Sequence, residues 1–196
     1  MKIIKTHLPG VIVIEPKIFG DRRGFFLESY RKDVFNDAGI NIQFVQDNHS
    51  RSTQGVLRGL HYQLTQTQGK LVRVATGSVF DVAVDVRLGS PTFGKWYGTE
   101  LNENNMRMMY IPPGFAHGFV VLSETADFIY KCTDYYHPQS EQGIAWNDPD
   151  LAIDWQIDSI ASEISLSDKD KDNVFLKDQL ESHLPAYKDF ILDSEK

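Results

Sequence analysis

The chain has one cysteine, Cys132, so no internal disulfide can staple it. It has no apolar run approaching the roughly 20 residues that a membrane-spanning helix needs. The opening stretch MKIIKTHLPGVIVIEP lacks the apolar core and the small-residue cleavage site of a secretory signal. The expected compartment is the cytoplasm, with no membrane partner. Internal repeats and low-complexity segments are also missing, and Gly and Pro are scattered as turn punctuation from Pro9 to Pro149 rather than gathered into a linker. Positive charge is in deficit: 20 Lys and Arg against 27 Asp and Glu leave a net charge of −7, which argues against nonspecific nucleic-acid binding. Cations gathered locally around an anionic ligand remain compatible with that balance.

What is present suits a packed single domain. A chain of 196 residues, 41% hydrophobic and 24% charged, is long enough to bury a core without staples. One domain over 1–196 is expected, with a tail from about 185 to 196 loosely ordered. Short segments rich in Val, Ile, Phe and Tyr read as strands: Val11–Glu15, Gly24–Tyr30, Phe44–Asp47, Val56–Gln63, Lys70–Ala75, Val79–Arg87, Trp96–Leu101, Met108–Ile111, His117–Leu122 and Asp127–Thr133. The clearest is Phe80–Arg87, where apolar residues at even positions alternate with polar or small ones, implying one core face and one wet face. Many close strands with few helical intervals favour an antiparallel sandwich or barrel. Helix is expected only at the margins, over Ser29–Ala38 before Gly39 and in one or two pieces after Ser167.

The chemistry centres on His49, His61, His117 and His137. A barrel metal site of the cupin kind presents two histidines a residue apart plus a carboxylate on one hairpin. His61 stands alone in Leu60-His61-Tyr62, and His117, in Pro112–Gly118, resembles only the second such motif. No metal and no cofactor are expected, which frees a neutral His61 to act as a base. A lone strand histidine is otherwise a hydrogen-bonded core residue. Its neighbours shift the balance, because Arg58-Gly59-Leu60-His61-Tyr62-Gln63 and Gln68-Gly69-Lys70-Leu71-Val72-Arg73 put cations on segments that read as core strands. An anionic ligand follows. Alternation puts Tyr130 on an interior face with Phe128 and Cys132, where its hydroxyl serves either as a structural hydrogen-bonding group or as a proton donor.

Together these stretches resemble the dTDP-4-dehydrorhamnose 3,5-epimerase family, the cupin-type epimerases of L-rhamnose biosynthesis. The resemblance runs from Phe19–Phe26 through Phe44–Ser50, Leu57–Gln63, Gln68–Arg73, Phe80–Arg87, Ser90–Gly94, Ile111–Phe119 and Tyr130-Lys131 to Gly143–Pro149 and Ser167–Asp170. It implies a mainly β jelly-roll barrel with a few short peripheral helices. It also implies an isomerase that inverts C3 and C5 of a nucleotide-linked 4-keto-6-deoxy sugar. By resemblance His61 is the base, Asp170 its partner, Tyr130 the acid, and Lys70 the group that meets the enolate. Arg23, Phe26, Glu28, Gln46, Asn48, Arg58, His117, Glu141 and Lys169 are implied as substrate contacts.

A C–H beside a ketone is only weakly acidic, so these roles answer a physical need: a positioned base, charge stabilisation at the ketone oxygen, and an acid on the opposite face of the ring. Paired phosphates suit the planar fork of arginine. Strict alternation from Val56, however, puts Arg58 and His61 on opposite faces, and Gly59 is the expected site of a bulge that re-aims one of them. Gln156 stands where relatives commonly place Pro. The resemblance further implies a homodimer, with the apolar Met1–Pro16 segment as an edge strand and Arg23 or Phe26 near the partner's site. Inversion at one carbon, ketoisomerisation of a related sugar nucleotide, and a non-catalytic carbohydrate-binding barrel are the competing functions.

Overall fold

Alternating apolar segments become short antiparallel strands, and these stack into two facing sheets. The computed structural model describes residues 1–37 and 39–190. Its strands in chain order are β1 (Lys2–Lys5), β2 (Ile12–Glu15), β3 (Ile18–Asp21), β4 (Gly24–Leu27), β5 (Gln46–Thr53), β6 (Leu57–Gln63), β7 (Lys70–Thr76), β8 (Ser78–Asp85), β9 (Trp96–Asn102), β10 (Met108–Ile111), β11 (Phe115–Val121), β12 (Thr125–Cys132) and β13 (Glu141–Gly143). Two short helices, α1 (Lys32–Asp37) and α2 (Asp168–Lys171), flank them. A six-stranded sheet runs in the order β1-β2-β10-β7-β12-β5, and a five-stranded sheet runs β13-β6-β11-β8-β9. β3 and β4 form a separate hairpin. This is the expected mainly β jelly roll with peripheral helices. Among the described residues no helix is long and apolar enough to cross a membrane.

The space between the sheets is filled by Val72, Val74, Met109 and Phe128 from one side and Val79, Ala83, Leu101, Phe115 and Phe119 from the other. Strand β8 departs from expectation. Its even residues Phe80, Val82 and Val84 are not opposite a wet face, because Asp81, Ala83 and Asp85 are fully buried as well. The C-terminal segment covers the outer side of the five-stranded sheet, where Leu151, Trp155 and Leu176 pack on the even residues. The odd residues face the sheet interior. Their acids are tolerated because they are paired: Asp85 accepts from Arg87 at 2.8 Å, Ser90 at 2.6 Å and Thr92 at 2.6 Å.

Helix α1 begins at Lys32 rather than at the expected Ser29, and Ala38, its expected last residue, lies outside the described residues. It ends as predicted at Gly39, whose φ of +80° supplies the left-handed turn. Gly39 N–H donates to the Asn36 carbonyl and Ile40 N–H to the Phe35 carbonyl, both at 2.9 Å, and Phe35 and Ile40 bury together against the outer face of the six-stranded sheet. After Ser167 the helical content is α2 and three short 3-10 turns. Of the tail expected to be loose, residues 185–190 lie beside the Arg87 loop, where Leu88 N–H donates to the Pro185 carbonyl at 2.8 Å and Arg87 lies over the Tyr187 ring. Residues 191–196 lie outside the described residues.

Candidate active site

Opposed residues in an antiparallel ladder share a face, and this sets the rows of side chains that look into the gap between the sheets. On the six-stranded sheet, Gln46, Cys132 and Lys70 stand in one row, Asn48, Tyr130 and Val72 in the next, then Ser50, Phe128 and Val74. On the five-stranded sheet, His61, His117 and Ala83 form one row and Arg58, Phe119 and Asp81 another.

The second pairing resolves the conflict over Arg58 and His61. Their partners on β11, Phe119 and His117, are two residues apart, while Arg58 and His61 are three apart, so β6 carries an extra residue at Gly59-Leu60. Both side chains therefore reach the same side. Only glycine fits here: a Cβ on Gly59, whose φ is +114°, would sit 2.5 Å from the Gly118 Cα, and one on Gly118 would sit 2.7 Å from the Arg58 carbonyl oxygen.

A cavity of about 460 Å³ opens between the sheets, with Arg58, His61, Lys70, His117, Tyr130 and Asp170 on its walls. A smaller one of about 90 Å³ adjoins it and shares His61, Lys70 and Tyr130, adding Tyr136 and Glu141. His61 Nε2 lies 2.5 Å from Asp170 Oδ1. Asp170 is buried at the start of α2, where its other oxygen accepts from the Ser167 hydroxyl at 2.9 Å and Ser167 in turn caps the helix by accepting from Asp170 N–H. Burial would raise the Asp170 pKa, but the bonds from His61 and Ser167 outweigh it and hold the carboxyl below its ordinary value. The other ring nitrogen, Nδ1, is 3.9 Å from Glu141 Oε1. Glu141 Oε2 is held by Lys169 and by the Tyr136 hydroxyl at 2.6 Å. Burial would again raise that carboxyl, and Lys169 and Tyr136 pull it below its ordinary value.

A second histidine–carboxylate pair lies one row away, with His117 Nε2 at 2.8 Å from Asp81 Oδ1. Burial pushes the His117 pKa down and the Asp81 pKa up. Lys70 is also pushed down by burial, with Glu141 and Asp81 among the groups opposing it. Burial raises the Tyr130 phenol above its ordinary value of 10.0, Glu141 adds to this and Arg58 opposes it, and no hydrogen bond from a described residue contributes. The Tyr130 ring lies 5.9 Å from Phe128 on the interior face, as the alternation requires.

The remaining candidates divide. Gln46 and Asn48 stand on the cavity face of β5, bonded to one another at 3.1 Å. Arg23, Phe26 and Glu28 are not at the cavity of their own chain. Arg23 and Phe26 lie in the β3–β4 hairpin, Arg23 paired to Asp21 and Phe26 65% exposed, and Glu28 pairs with Arg31 just beyond it. His49 pairs with Asp127 at 3.0 Å on the outer face of the sheet. Sequence reasoning missed Asp81, Ser167 as a helix cap, and Tyr136. Asp81 carried a signal, an acid inside an apolar strand, but its meaning depended on both faces of β8 being covered. Tyr136 carried none.

The family model for dTDP-4-dehydrorhamnose 3,5-epimerase matches residues 5–178. A dTDP-4-dehydrorhamnose 3,5-epimerase from Pseudomonas aeruginosa is 58% identical over 87% of this chain and 93% of its own. The crystal structure of a dTDP-6-deoxy-D-glucose-3,5-epimerase from Legionella pneumophila, in complex with dTDP-4-keto-L-rhamnose, is 56% identical and superposes with a TM-score of 0.91 over 95% of this chain and 98% of that one. A 3'-monoepimerase from Streptomyces bikiniensis in complex with dTDP-quinovose is 34% identical, with a TM-score of 0.89 over 95% and 94% of the two chains. With the same jelly roll and this degree of identity over nearly its whole length, the chain belongs to the dTDP-4-dehydrorhamnose 3,5-epimerase family.

Proposed function

We propose that the chain inverts C3 and C5 of dTDP-4-dehydro-6-deoxy-D-glucose to give dTDP-4-dehydro-L-rhamnose, with His61 removing protons and Tyr130 returning them from the opposite face. The carrying observation is that His61 on β6 and Tyr130 on β12 enter one cavity from facing sheets. A base and an acid on opposite walls are what inversion demands, since a proton removed from one face of the ring must return to the other. Asp170 fixes the His61 ring through Nε2, leaving Nδ1 to face the substrate, and stabilises the imidazolium that forms. Lys70, on the wall that carries Tyr130, offers its ammonium to the ketone oxygen as the enolate develops. Arg58 supplies a cation for the diphosphate, and Gln46, Asn48 and His117 contact the sugar nucleotide.

The chain works as a homodimer in the cytoplasm. Phe19, Phe25 and Phe26 expose more than half of their surface on the β3–β4 hairpin, a density of bare aromatics that marks an interface. Arg23, Phe26 and Glu28 then complete the site of a second copy. Light scattering at micromolar concentration is expected to give twice the chain mass, and a monomer there contradicts the assembly.

Product analysis with dTDP-4-keto-6-deoxyglucose, scored separately at C3 and C5, tests the activity. Both centres inverted is the expected result. Inversion at C3 alone assigns instead the chemistry of the Streptomyces bikiniensis 3'-monoepimerase.

A further inference from the structure

One inversion leaves both catalytic groups spent. His61 has gained a proton and Tyr130 has lost one. A second inversion on the same bound sugar needs a neutral His61 and a protonated Tyr130, so a proton has to pass from the one to the other before it begins. Because Nε2 of His61 is engaged by Asp170, the proton taken from carbon resides on Nδ1. Glu141 Oε1 lies 3.9 Å from that nitrogen. The gap is about 1 Å beyond hydrogen-bond reach, the kind of looseness that ligand binding closes. On its other oxygen Glu141 accepts from the Tyr136 hydroxyl at 2.6 Å. Tyr136 and Tyr130 border the same small cavity of about 90 Å³, which is large enough for bridging water.

We propose that Glu141 and Tyr136 form a proton relay that carries the proton from His61 back to Tyr130 between the two inversions. The inference rests on the assignment of His61 as base and Tyr130 as acid. The His61 Nδ1–H bond breaks as an O–H bond forms at Glu141 Oε1. Tyr136 gives its hydroxyl proton through a water to the Tyr130 phenolate. A turn of the Glu141 carboxyl about its terminal bond, which exchanges the oxygens facing His61 and Tyr136 and breaks the Lys169 contact as it does so, then delivers the first proton to the Tyr136 oxygen. One proton has moved from imidazolium to phenolate, and neither an oxidant nor any other co-reactant is required.

The surrounding charges suit this direction. The hydrogen bond to Glu141 raises the Tyr136 phenol to about 12, and burial raises that of Tyr130, so both oxygens favour the protonated form. Glu141, held below its ordinary value despite its burial, keeps the proton only in transit. Lys169 and Asp170 are neighbours on α2, so one short helix fixes both carboxylates that flank His61. Tyr136 is 50% exposed, which opens the relay to water and lets solvent hydrogen enter the sugar.

Single-turnover reactions of Glu141→Gln and Tyr136→Phe, quenched on the millisecond scale and analysed for singly and doubly inverted sugar, test the relay. The amide and the phenyl ring preserve size but cannot pass a proton. The first inversion is expected to lose only what weaker substrate binding removes, while the second slows on the order of a hundred-fold beyond that. Singly inverted sugar then accumulates, and added imidazole buffer restores the second step in proportion to its concentration. Parallel slowing of both inversions, or no response to buffer, overturns the relay and leaves the two residues as binding groups. Failure of the underlying assignment looks different, because His61→Asn would then keep double inversion whatever Glu141 does.

Discussion

His61 and Asp170 are 109 positions apart in the chain and 2.5 Å apart in the fold, joined across the edge where the C-terminal segment folds back over β6. The bond gives the strand histidine a fixed ring orientation, and Ser167 holds the carboxylate from behind.

Replacing Asp170 by Asn keeps the shape but offers His61 a neutral amide. Turnover is expected to fall on the order of a hundred- to ten-thousand-fold, with substrate binding much less affected. The same carboxylate sets an acid limit on stability. Its folded pKa lies below the ordinary 3.8, so its contribution is complete above that value and is lost as pH falls through the depressed one. Urea titrations over that range are expected to show a shallower acid loss in Asp170→Asn than in the parent protein. Identical acid profiles would remove Asp170 from the account of stability.

Lys70 is predicted to cost stability while serving chemistry. Burial depresses its pKa below 10.5, so the fold disfavours the charged form, and stability from this group rises as pH climbs from the depressed value towards the ordinary one. Lys70→Met is expected to raise the unfolding free energy by about 0.5–2 kcal/mol. It is also expected to lower turnover on the order of a hundred- to a thousand-fold, the usual loss when an oxyanion donor is removed. A less stable and still active variant would contradict both halves of the argument.

Gly59→Ala probes the bulge. Its Cβ would meet the Gly118 backbone at 2.5 Å, and the backbone conformation is one that alanine resists. A loss of more than about 3 kcal/mol is expected from the clash and strain combined. Thermal unfolding of the variant measures it, and a change within about 0.5 kcal/mol, typical of a surface site, would mean that the close approach is not rigid.

How far the sequence reached depends on how local each feature is. Strand periodicity and the Gly39 stop are written in neighbouring residues, and so were legible. The burial of Asp81 was not, because the apolar even residues of β8 are covered by a distant C-terminal segment, which leaves the odd face to the interior, where His117 from the next strand meets Asp81. Arg58 and His61 could be placed on one face only once the register between β6 and β11 was known, although Gly59 had marked the position. Glu141 meets Tyr136 from the loop just before it and Lys169 from a second, distant segment, an approach that no periodicity encodes. Arg23 and Phe26 lie off the cavity of their own chain, and the role proposed for them depends on a second copy, which no pattern within one chain encodes.

The central claim is that His61 starts the reaction and Tyr130 completes it, and deuterium uptake separates the two. In heavy water His61→Asn is expected to abolish exchange at C3 and C5, since no enolate forms without proton removal. Tyr130→Phe is expected to admit deuterium on the face of the sugar next to His61 while inverted product falls on the order of a hundred- to ten-thousand-fold. Normal yields of doubly inverted sugar from Tyr130→Phe, or undiminished exchange in His61→Asn, would contradict the assignment.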